Sequence, residues 1–198
     1  MHHEQVHELL YQALETELGG IQVYHTALQC TVNAELKHEW QEYLAQTETH
    51  AQILRALFAT LKLNPDQETP GRQVVRHIGQ SLVTAMEMAL HAGEREAAQL
   101  VATECVIAAE TKDHLNWELI NEVAAALKGD TGKALHAAYQ QVEDEEDEHL
   151  YHTTGWSREL WIASLGLPAV LPPPEEEKDV KTAIGAARAK NARKAMLK

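Results

Sequence analysis

The chain has 198 residues, 44% of them hydrophobic, enough for one sizeable core. Its 17 basic and 30 acidic residues give a formal net charge of −13, which argues against a general nucleic-acid or anionic-membrane binder, because phosphate surfaces need clustered cations. Two cysteines, Cys30 and Cys105, make no disulfide framework, Met1 to Gln5 carries no apolar signal core, and no run of 18 apolar residues occurs, so a soluble cytoplasmic protein is expected.

In chain order, residues 3–29 predict a first helix with the stripe Leu10, Leu14, Glu17, Ile21, Tyr24, Leu28. Glu17 is a carboxylate where a core residue belongs. Gly19-Gly20 interrupts the pattern and either bends the helix or lets a neighbour approach. Cys30 to Asn33 supplies a turn, and a second helix runs from Ala34 to Leu63 with the stripe Leu36, Trp40, Tyr43, Thr47, His50, Leu54, Leu57, Leu61. Asn64-Pro65-Asp66 ends it. A helix over 72–91 forms the connection between two helical hairpins. Another runs from Glu94 to Leu127, with the stripe Thr103, Ile107, Glu110, His114, Trp117, Ala124. Lys128-Gly129-Asp130-Thr131-Gly132 is a stop-and-restart signal. The last bundle helix is expected as one piece from Lys133 to Leu165, with the stripe Leu135, Tyr139, Val142, Glu146, His149, Thr153, Trp156, Leu160. That stripe superposes on the one through His50, so the chain reads as an internal duplication of pattern. Residues 1–166 are expected as the bundle. Residues 167–198 are expected as a Pro/Glu linker and a basic, alanine-rich, solvated tail.

The inward polar residues are predicted to lie level with one another. Glu17 lies 14 residues before the turn at Thr31 and Thr47 lies 16 after it; Glu110 lies 19 before Gly129 and Glu146 lies 17 after it. Antiparallel helices rise equally per residue, so each hairpin brings these positions to one height. Glu104 is a rival to Glu110, but it falls about 9 Å further along and about 120° round the helix. The expected layer is Glu17, Thr47, His50, Glu110, His114, Glu146 and His149, with no Lys or Arg on any of the four stripes. Buried carboxylates without a cation must protonate or gain one, and carboxylate with imidazole suits Fe, Mn or Zn. Tyr24, Tyr43 and Tyr139 fall on the same stripes, and Trp40, Trp117 and Trp156 are expected as large core fillers.

At these residues the chain resembles the ferritin-like superfamily, of the rubrerythrin and bacterioferritin type. In its four-helix bundle a Glu from each of two helices joins a Glu-x-x-His from each of the other two. Glu17 and Glu110 match the single carboxylates and Glu146-Asp147-Glu148-His149 matches one Glu-x-x-His. Thr47-Glu48-Thr49-His50 matches the other, with Thr47 in place of its Glu. The resemblance covers roughly residues 3–165. It implies an all-α, ferritin-like four-helix bundle built of two hairpins and a helical crossover. It also implies up to two Fe ions (Mn or Zn being alternatives) held by Glu17, His50, Glu110, Glu146 and His149, with His114 compensating for Thr47. The implied activity is a di-iron oxidoreductase of the ferroxidase or peroxidase type, acting on dioxygen, peroxide or ferrous iron. An external electron donor and a homodimer go with it. The alternative is a metal-free helical scaffold of the same shape that oligomerises or binds a partner.

Overall fold

The computed structural model describes residues 2–197; Met1 and Lys198, the outer ends of the two expected units, lie outside them. The described residues are helical, with no strand among them. Helix α1 spans His3–Cys30, α2 Ala34–Leu61, α3 Pro70–His91, α4 Arg95–Ala126, α5 Asp130–Tyr139, α6 Glu143–Ser164, α7 Pro174–Glu177 and α8 Ala183–Met196. Local chemistry sets the boundaries. The Asn33 side chain accepts from the amides of Glu35 and Leu36 and starts α2, while Lys62 closes it in the left-handed conformation. Thr69 caps α3, with Pro70 in the first position, where its missing N–H costs nothing. Gly129, at φ 91°, makes the reversal into α5.

The expected single helix over residues 133–165 is two helices. The ladder breaks at Gln140–Val142, where Gln141 N–H bonds to Ala138 O and Val142 N–H to Tyr139 O, each three residues back. The stripe keeps its spacing across the break, which is why periodicity does not disclose it. Charge supplies the reason. Glu143, Asp144, Glu145 and Glu146 are consecutive, and a break here puts all four in the first turn of α6, at the positive end of its dipole.

The apolar core divides into two clusters. One contains Tyr24, Ala27, Leu36, Trp40, Val106 and Trp156. The other contains Leu14, Leu54, Phe58, Trp117, Ile120, Leu135 and Val142. Along α1, Glu17 falls between the two; along α2, Thr47 and His50 do; along α4, Glu110 and Asp113; along α6, Glu146 and His149. These positions are buried, so a polar layer lies across the interior with apolar packing above and below it. Helix α3 packs on α1 and α4. Gly19 and Gly79 meet where α1 and α3 come closest: a Cβ on Gly79 would lie 3.7 Å from the Gly19 Cα. Buried Glu15 on α1 anchors α3 by accepting from Arg72 Nε (2.6 Å) and Arg76 Nε (2.7 Å).

The expected solvated tail is packed on α6. Glu175 accepts from both terminal nitrogens of Arg158 at 2.7 Å, and Arg193 Nε donates to the fully buried Glu159 at 2.7 Å. Lys181 Nζ lies 2.7 Å from Glu148. Val180 and Ala189 are buried. Gly155 admits this approach, since a Cβ there would sit 2.6 Å from Glu175 Oε2 and 3.0 Å from Pro173 Cβ. Composition misleads here because ion pairs and a small-residue contact, rather than an apolar stripe, hold the segment.

Candidate metal centre

Four helices present the layer. Glu17 (α1), His50 (α2) and Glu146 (α6) offer one ligand atom each within 4.8 Å of one another. Glu110 (α4), Glu146 and His149 (α6) form a second such group. Glu146 belongs to both, so the two groups share one carboxylate. His50 Nδ1 is 2.8 Å from Glu146 Oε1 and 3.9 Å from Glu17 Oε1; His149 Nδ1 is 3.6 Å from Glu110 Oε2.

The outer nitrogens of both imidazoles decide what the inner ones can do. His149 Nε2–H donates to Gln46 Oε1 at 2.8 Å, and an amide oxygen can only accept. His50 Nε2 lies 2.7 Å from the Glu145 carboxylate, which also accepts. Each ring therefore carries a proton on its outer nitrogen and presents Nδ1 to the layer, the arrangement by which outer partners orient metal-binding histidines. Apart from the Tyr24 hydroxyl, the groups that meet in the layer are carboxylates and imidazole nitrogens. Glu17 Oε2, Tyr24 Oη, His50 Nδ1, Glu110 Oε2, Asp113 Oδ1, Glu146 Oε2 and His149 Nδ1 are all buried without a hydrogen-bond partner. Orphaned buried polar atoms are rare in native proteins, and seven in one layer call for a shared cation or shared protons.

The electrostatics agree. Burial first, then the carboxylates of Asp113 and Glu146, push the Glu17 carboxyl well above its ordinary range. Burial and then Glu110 push Glu146 up to about 8. Asp113 is raised by burial, then by Glu146 and Glu110. Burial and Glu110 raise the Tyr24 hydroxyl. Trp117 is more than a core filler, since its indole N–H donates to Glu17 Oε1 at 2.8 Å. Among the described residues no Lys or Arg pairs with Glu17, Glu110, Asp113 or Glu146.

Five of the six expected ligands, Glu17, His50, Glu110, Glu146 and His149, converge on the layer. His114 does not. Its Nδ1 faces Asp147 and its Nε2 faces Glu118, both at 3.4 Å, in a partly exposed setting. The inward residue of α4 is Asp113, which the sequence reading passed over. Glu110 and Trp117 are seven apart, and the stripe reaches Trp117 either through Asp113 (three, then four) or through His114 (four, then three). Buried Thr103, Val106, Glu110, Asp113, Trp117, Ile120 and Ala124 follow the first count throughout, a regularity that Val106 and Ile120 already carry in the sequence. Glu104 is exposed and accepts from the Trp161 indole, clear of the layer. Tyr139 stands at the helix break, half-buried, and donates to Glu143 instead of facing inward. Thr47 is buried, with its hydroxyl turned back to the Tyr43 carbonyl at 2.8 Å.

A second polar cluster adjoins the layer through Tyr43. The Tyr43 ring packs on His149, with centroids 4.2 Å apart. Its hydroxyl donates to Glu39 Oε1 at 2.6 Å and lies 3.1 Å from His152 Nδ1. Burial and the neighbouring Glu39 raise Glu176 of the tail to about 8.

Comparison with known protein families, with curated proteins and with solved structures finds no match for this chain. No described helix is long and apolar enough to cross a membrane.

Proposed function

We propose that the protein is a ferritin-like four-helix bundle, α1, α2, α4 and α5–α6, that binds two divalent metal ions of the iron class. We propose further that it acts as a di-iron-type oxidoreductase or in the handling of iron or peroxide. The observation that carries the proposal is the convergence of His50 Nδ1 and His149 Nδ1 on buried carboxylates whose Glu17 Oε2, Glu110 Oε2 and Glu146 Oε2 atoms have no hydrogen-bond partner among the described residues, with Glu146 common to both groups. The donor set fits the ion. Imidazole with carboxylate suits iron, manganese and zinc, and four carboxylates, Glu17, Glu110, Asp113 and Glu146, balance two divalent charges. Asp113 supplies from α4 the negative charge that Thr47 withholds from α2.

Glu17, His50 and Glu146 would hold one ion, and Glu110, Glu146 and His149 the other. Iron bound there supplies one-electron chemistry toward dioxygen or peroxide. Gln46 and Glu145 hold the imidazoles in the binding tautomer, and Trp117 orients Glu17. The apolar clusters on either side exclude water. Tyr24 places a hydroxyl against the layer without another partner. Cys30 and Cys105 are too few for a rubredoxin-like iron site, so electrons would come from the substrate or from an external donor.

The test is metal content after purification without chelator, followed by anaerobic titration with ferrous or cobaltous ion. About two ions per chain are expected, lost together in Glu146→Gln. A chain that takes up none overturns the proposal. That result favours a metal-free helical scaffold, the second reading, which Thr47 supports by turning its hydroxyl away from the layer.

A further inference from the structure

A cavity of about 250 Å3 opens between α4, α5, α6 and the start of α8. Its walls carry His114, Glu118, Glu143 and Asp147, and Glu146 also lines it. Glu146 is 2% exposed, its Oε2 has no partner, and it is the carboxylate common to both groups in the layer. Among the described residues the lining holds three further acids and no Lys or Arg. We infer that this cavity is the inlet through which divalent cations reach the layer, with Glu118, Asp147, His114 and Glu143 as successive weak sites that end at Glu146.

The inference rests on the metal-binding reading and adds a route to it. An acidic cleft with low-dielectric walls concentrates cations at its mouth and speeds their capture. The rim is built to pass an ion rather than to keep it. His114 meets Asp147 through one ring nitrogen and Glu118 through the other, each at 3.4 Å, so the two carboxylates lie on opposite sides of the ring and cannot chelate one ion together with it. The cavity lies beside the break between α5 and α6, with Tyr139 at the end of α5 and Glu143 in the first turn of α6, where the phenol donates to Glu143 at 2.9 Å.

The other cavities serve a cation less well. One, between α1, α3 and α4, is lined by Gly19, Gly20, Val23, Ile78 and Leu82, with Lys112 as a repelling charge. Another, beside Glu39 and His152, is separated from His149 by the Tyr43 ring. His114, expected as a ligand, thus has a place on the way to the ligands.

The experiment follows anaerobic cobaltous ion uptake by visible absorption in a stopped-flow instrument, at low and high salt, with the full chain. In the variant Glu118→Gln/Glu143→Gln/Asp147→Asn the bimolecular loading rate should fall tenfold or more and lose most of its salt dependence. The number of ions bound at equilibrium should stay that of the parent. Glu118→Lys, at an exposed position that does not threaten folding, changes the inlet charge by two rather than three and should slow loading and weaken its salt dependence to a smaller extent. A variant that loads as fast as the parent, with the same salt response, overturns the inlet and leaves the metal centre standing. A parent that binds no cobalt at all overturns the metal centre, and the inlet with it.

Discussion

The two hairpins differ where they should match. In the first, α1 and α2 are unbroken and give the layer one carboxylate, Glu17, and one imidazole, His50, with Thr47 in the remaining inward place. In the second, α4 and the broken α5–α6 give three carboxylates, Glu110, Asp113 and Glu146, and one imidazole, His149. The second hairpin also carries the inlet and is covered by the C-terminal segment. A duplicated framework therefore holds an unequal division of charge. The layer's total matters more than its symmetry, since all four carboxylates share one low-dielectric volume.

The largest expected effect comes from removing the residue both groups share. Glu146→Gln should lower bound metal from about two ions per chain to nearly none. His149→Ala should remove most of the metal, because it takes the only imidazole of the carboxylate-rich side. His50→Ala should leave the ion of the second hairpin in place. Metal analysis of the three variants checks the ranking. Equal retention in the two histidine variants would mean that the hairpins contribute alike.

The next effect concerns the covering segment. Deleting residues 173–198 would take Arg193 from Glu159, which keeps Arg158 and the Val170 amide, strip Glu175 from Arg158 and uncover the Gly155 face. Arg158 and Glu159 stay paired with each other, so neither charge is left uncompensated and the loss is about 1.5–3 kcal/mol. At about 2–4 °C per kcal/mol for a chain of this size, the melting temperature should fall by roughly 5 °C. Calorimetry of the truncated chain measures it, and an unchanged melting point would mean that the segment only rests on the second hairpin.

Much of this was legible in the sequence, and the failures share a cause. Stripe counting finds a helix face to within one residue, so it placed Glu17, His50, Glu110, Glu146 and His149 correctly. Counted from Glu110 and Trp117 alone it did not separate Asp113 from His114, and the distinction lay with Val106 and Ile120, which share the spacing of Asp113. It also missed the break at Gln140–Val142, because a short turn can preserve the phase of a stripe. The docked tail escaped because ion pairs with Arg158, Glu159 and Glu148 leave no periodic signature. Nor did Gln46 and Glu145 stand out, since what they do depends on which ring nitrogen each one meets.

The pH dependence of the metal-free protein sharpens the comparison further. Burial raises Glu146 to about 8 and moves Glu17 and Asp113 the same way. The folded layer then holds protons that the unfolded chain has already released, so stability falls as pH rises from about 5 to about 8. Glu15 and Glu159 are shifted down, and their stabilisation is complete by about pH 5 and flat above it. Glu176 adds a slope of the same sign, but it lies outside the layer and contributes equally with and without metal. Urea melts at pH 5.5, 6.5 and 7.5 should therefore show a decline that added cobaltous or manganous ion reduces, with protons released on binding. A metal-free stability that rises across this window would contradict the protonated layer.

The smallest effect tests whether charge has moved from one hairpin to the other. Asp113 and Thr47 occupy the layer on α4 and α2, and only Asp113 ionises. If Asp113 supplies the fourth negative charge, Asp113→Asn should weaken the ion held by Glu17 and His50 by roughly tenfold, about 1.4 kcal/mol. The ion of Glu110 and His149 should change less. Adding Thr47→Glu to that variant returns a carboxylate to the first hairpin. Gly20 lies opposite, where even a Cβ would come within 3.3 Å of the Thr47 methyl, so the longer side chain has to run along the glycine toward the layer. The double variant should recover most of the lost affinity and bring the two positions closer to equal strength. Without metal the signs reverse. Asp113→Asn relieves repulsion on Glu17 and should stabilise the metal-free chain, and Thr47→Glu should cancel that gain. Paired measurements, cobalt affinity and melting of the metal-free protein, separate charge transfer from mere packing. A double variant that binds no better than Asp113→Asn would show that position and not charge sets the site, and that the hairpins are unequal for a reason Thr47 does not supply.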